Sequence, residues 1–323
     1  MTAPAIRSRI AGVGHYLPDR VIGNDWFRRE LGLDTSDEWI RARTGIERRH
    51  FAEPGQLTSD LGTRAARAAL DAAGLRGADI DAVILATTTP DATFPSTATK
   101  VQAALGTGGF AYDVMAACAG FVFALANADA MIRAGLCRRA LVIGAETYSR
   151  ILDWTDRGTC VLFGDGAGAV VLEASAGERG ILAADLNSDG RFGDILYVDG
   201  GVSMTQTAGM LRMSGKEVFR HAVEKLAATA DTALTAAGLG HDDLDWVVPH
   251  QANVRIIEAT ARKLSTPMSK VVVTVQDHGN TSAASIPLAL STAVADGRIR
   301  EGQTLVMEAI GGGLAWGAVA ARW

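Results

Sequence analysis

Apolar segments separated by glycine-containing polar turns occur twice along the chain in the same order. Residues 69–84 (ALDAAGLRGADIDAVI) and 233–248 (ALTAAGLGHDDLDWVV) each predict a helix end, a glycine stop, a polar turn and an apolar strand. The same offset of 164 residues carries 140–145 (ALVIGA) onto 304–309 (TLVMEA), two further apolar strands typical of parallel sheets. Two matches with one offset predict an internally duplicated α/β fold.

The repeat also divides the chain and locates an insertion. Beyond the second match the offset falls to 149, because residues 168–170 (GAV) match 317–319. We therefore expect an N-terminal half, residues 1–174, with an insertion at about 147–160, and a C-terminal half, residues 175–323. Duplicated α/β units pack about a pseudo-dyad, and ligands collect at the carboxyl ends of the strands. The junction between the halves is the predicted site of chemistry.

Composition then narrows the class of protein. The 323 residues are 48% hydrophobic and 21% charged, which is typical of a compact soluble chain. A net charge of -5 argues against a nucleic-acid partner, and the longest apolar run, residues 115–126, is too short to span a membrane. Three cysteines without CxxC spacing argue against a disulfide framework and a zinc site, and no secretory leader can be identified. We expect a cytoplasmic protein without a metal.

Three polar side chains are candidates for chemistry at the junction. Cys118 lies at a predicted strand-to-helix turn, where the free N–H groups of a helix N-terminus would lower the thiol pKa and form an oxyanion cradle. His250 follows an apolar strand, and Asn280 precedes a helix near the repeat-equivalent position of Cys118. A buried cysteine can equally fill a core, and a lone histidine or N-capping asparagine is usually structural. Their convergence at one junction favours nucleophilic catalysis.

The motifs around these residues resemble those of the β-ketoacyl-acyl-carrier-protein synthase III family of the thiolase superfamily. The ACAG around Cys118, the VPHQAN around His250 and the HGNTSAAS around Asn280 carry the resemblance. It extends to residues 34–50, 154–159, 213–219 and 308–318. The resemblance implies a duplicated five-layer αβαβα fold, in agreement with the repeat.

The resemblance also implies a reaction. A Cys118-His250-Asn280 triad would condense a short acyl-CoA primer, with acetyl-CoA expected, and malonyl-acyl carrier protein (malonyl-ACP) by decarboxylative Claisen condensation. The backbone N–H groups of Cys118 and Gly312 would hold the oxyanion of acylation, and His250 and Asn280 would hold the malonyl thioester carbonyl. The family needs no cofactor beyond the coenzyme A thioester itself, and it is homodimeric. This activity initiates type II fatty acid synthesis.

Binding residues follow from the same motifs. The implied coenzyme A contacts are Thr35, Trp39, Arg43, Arg157, Gly158, Phe219, Ala252 and Asn253. The implied acyl-pocket residues are Phe94, which would reach into the pocket of a partner subunit, and Tyr148, Phe163, Leu196 and Leu211. The implied docking surface for the acidic carrier protein is Arg220, Arg255, Arg262 and Lys263. A solvated helix face is the alternative interpretation of this last group.

Alternative functions remain open at this point. A degradative thiolase would need a second cysteine in the loop 311–317, which has none. A starter-unit synthase or acyltransferase of a polyketide or other secondary-metabolite pathway could carry every motif named above. A catalytically inactive acyl-binding paralogue is the alternative from a different functional class.

Overall fold

The computed structural model of the protein describes residues 6–323 and contains thirteen strands and nine helices in that range, besides short 3-10 turns. The strands are β1 (Ile6–Tyr16), β2 (Arg20–Gly23), β3 (Arg48–Phe51), β4 (Ala82–Ala86), β5 (Phe110–Val114), β6 (Arg139–Glu146), β7 (Gly166–Ala176), β8 (Gly180–Ser188), β9 (Leu196–Val198), β10 (Leu211–Met213), β11 (Trp246–Pro249), β12 (Thr304–Gly311) and β13 (Ala315–Arg322). The helices are α1 (Asp25–Leu31), α2 (Asp37–Thr44), α3 (Thr58–Ala73), α4 (Thr97–Leu105), α5 (Gly120–Arg133), α6 (Gly215–Ala236), α7 (Val254–Lys263), α8 (Val275–His278) and α9 (Ser285–Ala295).

Two main sheets share one internal order. The first sheet has the order β1-β7-β6-β4-β5 and the second has the order β8-β13-β12-β11. In the first, β1 and β6 are antiparallel to β7 and β4 is parallel to β6. In the second, β8 and β12 are antiparallel to β13 and β11 is parallel to β12. Order and direction therefore repeat, with β5 as the additional strand, and the predicted duplicated α/β fold is confirmed.

Helices cover both sheets and also separate them. Helices α3 and α4 pack on the outer face of the first sheet, and α6 and α7 cover the second, with α6 lying along β12 and β13. Helices α5 and α9 lie between the sheets and contact strands of both. Most side chains of α5 and α9 are buried, because a central helix meets a sheet on two sides. The result is the five-layer αβαβα arrangement.

Close packing of α3 explains two glycines of β1. A Cβ atom at Gly12 would lie 2.4 Å from the Ala69 carbonyl oxygen, and one at Gly14 would lie 2.3 Å from the Ala69 nitrogen. Only glycine allows the helix backbone to approach the strand so closely. The small residues of the sequence pattern therefore fix the spacing of the outer layer, which supports the strands that carry the site.

The connections at the strand ends differ between the halves. Residues 147–165 join β6 to β7, whereas residues 312–314 join β12 to β13. The longer connection packs with α1, α2 and β3 in a hydrophobic cluster that also includes residues of α7 and β11. The segment from β2 to β3 belongs to the first half by sequence, yet it contacts α7 and α8 of the second. These contacts place α2 beside the junction.

Candidate active site

The turn that holds Cys118 is built from small residues. It is a 3-10 turn, Ala117–Ala119, that leads directly into α5, and Ala117 takes a left-handed φ of 47°. A Cβ atom at Gly311 would lie 2.4 Å from the Cys118 backbone nitrogen, so β12 of the second half packs tightly beneath the turn. Cys118 itself is buried. The alanines and glycines around it therefore permit a sharp turn inside the junction.

Asn280 is fixed by backbone and side-chain hydrogen bonds. Its N–H donates to the Leu162 carbonyl at 2.9 Å, and its own carbonyl accepts from the Gly164 N–H at 3.0 Å. The side-chain Oδ1 accepts from the Ser282 N–H at 2.9 Å. Because Oδ1 is occupied in this way, the Nδ2 group remains as the free donor of the amide.

His250 is equally constrained. It follows β11, and its backbone N–H donates to the Glu308 carbonyl at 2.8 Å. Its ring Nδ1 lies 2.6 Å from the Ser285 hydroxyl, which also accepts from the Gln251 N–H at 3.3 Å. Burial lowers the pKa of His250 to about 4, so the imidazole is neutral at physiological pH.

Two cavities meet at the thiol. A tunnel of about 470 Å³ is lined by all three triad residues, Cys118, His250 and Asn280. A second, inner cavity of about 980 Å³ is lined by Cys118 and Gly312. Phe163 and Leu196 line both cavities, so Cys118 lies where they join. The structure thus brings the three predicted side chains and Gly312 together at one point.

The predicted coenzyme A contacts fall into two groups. Arg43, Phe219, Ala252 and Asn253 line the tunnel. Thr35, Trp39, Arg157 and Gly158 do not line it. Within the second group, Thr35 is buried and no partner within residues 6–323 reaches its hydroxyl.

Trp39 connects the two groups through stacking. The Arg43 guanidinium lies 4.4 Å from the Trp39 ring centroid and the Arg157 guanidinium lies 4.8 Å from it. Arg157 also donates to the Asp34 carbonyl. Asn253 has a structural task as well, because its Oδ1 caps α7 by accepting from the Ile256 N–H at 3.0 Å.

The predicted acyl-pocket residues separate in the same manner. Tyr148, Phe163, Leu196 and Leu211 line the inner cavity, and the rings of Tyr148 and Phe163 stack with centroids 4.8 Å apart. Phe94 is 82% exposed and does not line the cavity of its own chain.

The predicted basic residues lie on the outer helices of the second half. Arg220 on α6 and Arg255, Arg262 and Lys263 on α7 are exposed, and Arg255 also lines the tunnel. Lys216 also lines the tunnel, from the start of α6, and is not among the residues predicted from the sequence. The same is true of Ser282, Ser285 and Glu146. Lys216 stands within the 213–219 motif and the two serines within HGNTSAAS, so their proximity to the site was available from those motifs.

The expected lowering of the Cys118 pKa is wrong for the resting enzyme. Burial raises the pKa of the Cys118 thiol to about 11, and hydrogen bonding from Ser282 and Tyr148 opposes this only in part. The sulfur lies in the 3-10 turn before α5 and is almost wholly buried, and burial penalises the charged thiolate. The resting group is a protonated thiol that needs a proton acceptor.

Among residues 6–323, no group of three or more histidine, cysteine, aspartate or glutamate side chains could hold a metal ion. Within the same range, no helix combines the length and apolar character needed to cross a membrane.

A duplicated five-layer fold with cysteine, histidine and asparagine around one tunnel defines the condensing enzymes of thiolase-like fold. Residues 112–190 match the model of the family 3-oxoacyl-[acyl-carrier-protein (ACP)] synthase III, and residues 234–323 match the model of its C-terminal part. The chain belongs to the β-ketoacyl-ACP synthase III family and is an acyl-transferring condensing enzyme.

Individual relatives agree over the whole chain. Identity to β-ketoacyl-ACP synthase III of Paracoccus denitrificans is 70% over 323 residues, covering 98% of this chain and 99% of the relative. The corresponding protein of Dinoroseobacter shibae is 69% identical with the same coverage. The crystal structure of the Aquifex aeolicus synthase III is 46% identical with a TM-score of 0.93, covering 98% of this chain and 100% of that one. The priming β-ketosynthase of the R1128 polyketide pathway is 36% identical with a TM-score of 0.93, covering 100% of this chain and 98% of that one.

Proposed function

We propose that the protein condenses a short acyl-CoA, with acetyl-CoA as the first candidate, and malonyl-ACP through an acyl-cysteine on Cys118. The products are β-ketoacyl-ACP, coenzyme A and carbon dioxide, and the reaction initiates fatty acid synthesis in the cytoplasm. The observation that carries the proposal is the tunnel shared by Cys118, His250 and Asn280, with cations at its outer end and a second cavity behind the sulfur.

In the first half-reaction the Cys118 sulfur attacks the acyl-CoA thioester carbon. The Cys118 proton is removed, the new S–C bond forms, and the tetrahedral oxyanion accepts hydrogen bonds from the Cys118 and Gly312 N–H groups. Within residues 6–323, neither N–H donates to the carbonyl of another turn or loop residue. The bond to coenzyme A then breaks, and its thiolate takes up a proton. Each oxyanion donor contributes about 3 kcal/mol on the usual scale.

In the second half-reaction the donors are His250 and Asn280. We assign the proton of the neutral His250 ring to Nε2, with Nδ1 accepting from the Ser285 hydroxyl that lies 2.6 Å away. The Nε2–H and the Asn280 Nδ2–H hold the malonyl thioester carbonyl while the C–C bond to the carboxylate breaks. The enolate formed attacks the acyl carbon on Cys118, and the thiolate is released. Both donors remain uncharged throughout this half-reaction, because the His250 imidazole stays neutral.

The carrier protein and a second subunit complete the proposed assembly. Arg255, Arg262 and Lys263 on α7 present positive charge beside the tunnel, which suits an acidic carrier protein and predicts salt-sensitive association. We place Phe94 in the inner cavity of the partner subunit of a homodimer, on the ground of its exposure and the open cavity of this chain. In that arrangement the partner limits the length of the primer.

A starter-unit synthase of a polyketide pathway is the second candidate. The similarity to the R1128 priming ketosynthase and the size of the inner cavity favour it. A panel of acyl-CoA primers of increasing length separates the two functions. Preference for acetyl-CoA supports the initiating enzyme of fatty acid synthesis, and preference for longer primers supports the starter-unit synthase.

Variants test the division of labour between the triad residues. Acylation is followed by intact-protein mass spectrometry, and malonyl-ACP decarboxylation is followed separately by carbon dioxide release. We expect Cys118→Ser to abolish acylation, and His250→Ala and Asn280→Ala to acylate while losing decarboxylation about 100-fold. His241→Ala, on an exposed histidine paired with Asp231, is the matched control. Equal loss of both steps in all three variants would refute the proposed roles.

A further inference from the structure

A buried carboxyl group lies beneath the nucleophile. Glu146 ends β6 with no exposed surface, and it accepts hydrogen bonds from three consecutive threonines. The shortest comes from the Thr89 hydroxyl at 2.6 Å, and others come from the Thr88 N–H at 3.1 Å and the Thr87 hydroxyl at 3.2 Å. No lysine, arginine or histidine within residues 6–323 pairs with it. A carboxylate this buried without a cation is costly and needs a reason.

Packing connects Glu146 to Cys118 through the second half. Strand β6 contacts the 3-10 turn Ser282–Ala284, and that turn in turn contacts Ala117–Ala119, which holds the thiol. The Ser282 hydroxyl lies 3.2 Å from the Tyr148 hydroxyl, two residues beyond Glu146. Tyr148, Thr88 and Thr89 line the inner cavity together with Cys118. Hydrogen bonding from Ser282 lowers the pKa of both the Cys118 thiol and the Glu146 carboxyl.

The thiol needs a proton acceptor, and His250 is poorly suited to the task. The pKa of Cys118 is about 11, whereas burial holds that of His250 near 4, so the imidazole binds a proton weakly at neutral pH. Burial raises the pKa of Glu146 to about 7, against the hydrogen bonds from the threonines and Ser282. A general base works best when its pKa lies near the operating pH. The titratable groups that face Glu146 are Cys118 and Tyr148.

We propose that Glu146 accepts the Cys118 proton through the Ser282 hydroxyl, which the Tyr148 hydroxyl holds in place, and so prepares the thiol for acylation. The inference rests on the proposed acyl-cysteine. The thiol proton moves to the Ser282 oxygen as the Ser282 hydroxyl releases its own proton to Glu146, which becomes a carboxylic acid. The thiolate attacks the thioester carbon, the bond to coenzyme A breaks, and the proton returns through Ser282 to the departing thiolate. Glu146 is a positioning residue in this scheme, because it acts through Ser282.

Glu146→Gln is the first test, since it keeps the shape of the side chain and removes its charge. We expect single-turnover acylation by acetyl-CoA at pH 7 to slow about 100-fold and to lose its inflection near pH 7. Glu173→Gln is the control, because Glu173 on β7 pairs with Arg9 and Arg139 and lines neither cavity. Glu308 on β12, the other fully buried glutamate, is unsuitable because its carbonyl accepts from the His250 N–H. An acylation rate and pH profile of Glu146→Gln equal to those of the wild type would overturn the proposal.

Alkylation of Cys118 by iodoacetamide tests the relay without any thioester. A nearby negative charge alone would raise the thiol pKa, so a purely electrostatic Glu146 predicts faster alkylation at neutral pH in Glu146→Gln. A proton acceptor predicts slower alkylation, by about tenfold or more. The two roles therefore predict changes of the alkylation rate in opposite directions. If no acyl-CoA acylates the wild type, the proposed function fails, and this experiment still decides on the relay.

Tyr148→Phe and Ser282→Ala extend the test should Glu146→Gln fold poorly, as judged by circular dichroism and thermal unfolding. Ser282→Ala removes the relay hydroxyl and Tyr148→Phe removes the hydroxyl that holds it, and we expect each to slow alkylation of Cys118 several-fold. Combined with Glu146→Gln, the losses should be less than additive, because all three groups serve one path. Additive losses, or unchanged alkylation in both hydroxyl variants, would contradict the relay.

Discussion

The two turns at the junction have the same backbone and different chemistry. The turn Ala117–Ala119 leads into α5, and the turn Ser282–Ala284 leads into α9. Each begins with a non-glycine residue in the left-handed region, Ala117 at φ 47° and Ser282 at φ 50°. Each packs on a glycine from a central strand of the opposite half, Gly311 beneath Cys118 and Gly144 beneath Ala283.

The side chains of the two turns differ, although their backbones are alike. The sulfur of Cys118 has no counterpart in the second half, where the equivalent turn has Ala283. Conversely, His250 corresponds through the repeat offset to Ala86 of the first half. The common backbone positions both turns, and each half supplies groups that the other lacks. Proposals about this site can therefore be tested by changing one half and using the other as the control.

The largest expected effect on activity comes from the glycines beneath the turns. In Gly311→Ala the new methyl carbon would lie 2.4 Å from the Cys118 nitrogen, and in Gly144→Ala it would lie 2.2 Å from the Ala283 oxygen. We expect each to lose about 1–3 kcal/mol of unfolding free energy, measured in urea. Gly311→Ala should also slow acylation about 100-fold, because it displaces the nucleophile itself.

Gly62→Ala on α3 is the control for the glycine variants. Its nearest neighbour would be the Leu85 side chain at 3.4 Å, an ordinary contact, and alanine favours a helix. Unchanged or slightly higher stability is the expected result. Normal acylation in Gly311→Ala would mean that the tight packing beneath Cys118 is dispensable.

The two buried glutamates differ in their hydrogen bonds, and pH reveals the difference. No partner within residues 6–323 reaches either oxygen of Glu308, and burial raises its pKa from 4.5 to about 8. Between pH 4.5 and 8 the Glu308 carboxyl is protonated in the folded protein but ionised in the unfolded chain. The free energy of unfolding of the wild type therefore falls as pH rises through this range. Across this pH range the unfolding free energy of Glu308→Gln should therefore rise by about 3–5 kcal/mol relative to that of the wild type.

Urea unfolding of both proteins at several pH values measures this effect. The informative quantity is the slope, against pH, of the difference between their unfolding free energies. A constant stability difference between Glu308→Gln and wild type would contradict the raised pKa. Glu146→Gln should show the same slope over a narrower range, ending near pH 7 instead of pH 8, because hydrogen bonds hold the pKa of Glu146 closer to its usual value.

Relief of backbone strain should give a moderate effect. Ala117→Gly removes the cost of a left-handed alanine, whereas Ala116→Gly changes a residue whose φ of -135° is open to any side chain. Both variants add glycine flexibility to the unfolded chain, so the comparison isolates the strain. We expect Ala117→Gly to be more stable than Ala116→Gly by about 1–2 kcal/mol in thermal and urea unfolding. Equal stability of the two variants would show that the left-handed backbone of Ala117 is not strained.

The outer helices of the two halves provide the smallest expected effect. Arg262→Glu on α7 should raise the KM for malonyl-ACP about fivefold at low salt and less at high salt, because exposed charges are screened. Arg67→Glu, on α3 in the opposite outer layer, is the matched control and should change neither substrate's KM. Equal effects of the two reversals would exclude a docking role specific to α7.

The sequence could predict the repeated strands and the triad because each leaves a local signal. An apolar strand that ends in His250 and small residues around Cys118 are visible in short windows. The thiol pKa could not be predicted, since burial depends on β12 and on the Ser282 turn from the far half. The Ser282–Tyr148 contact joins residues 134 positions apart, and no spacing rule reports such a pair.

The most direct test of the account is a mass-spectrometric pulse and chase on the wild-type protein. Incubation with acetyl-CoA should add one acetyl group, and peptide mapping should place it on Cys118. Addition of malonyl-ACP should remove that adduct as β-ketoacyl-ACP appears in equal amount. An adduct on another residue, or one on Cys118 that persists through the chase, would contradict the account.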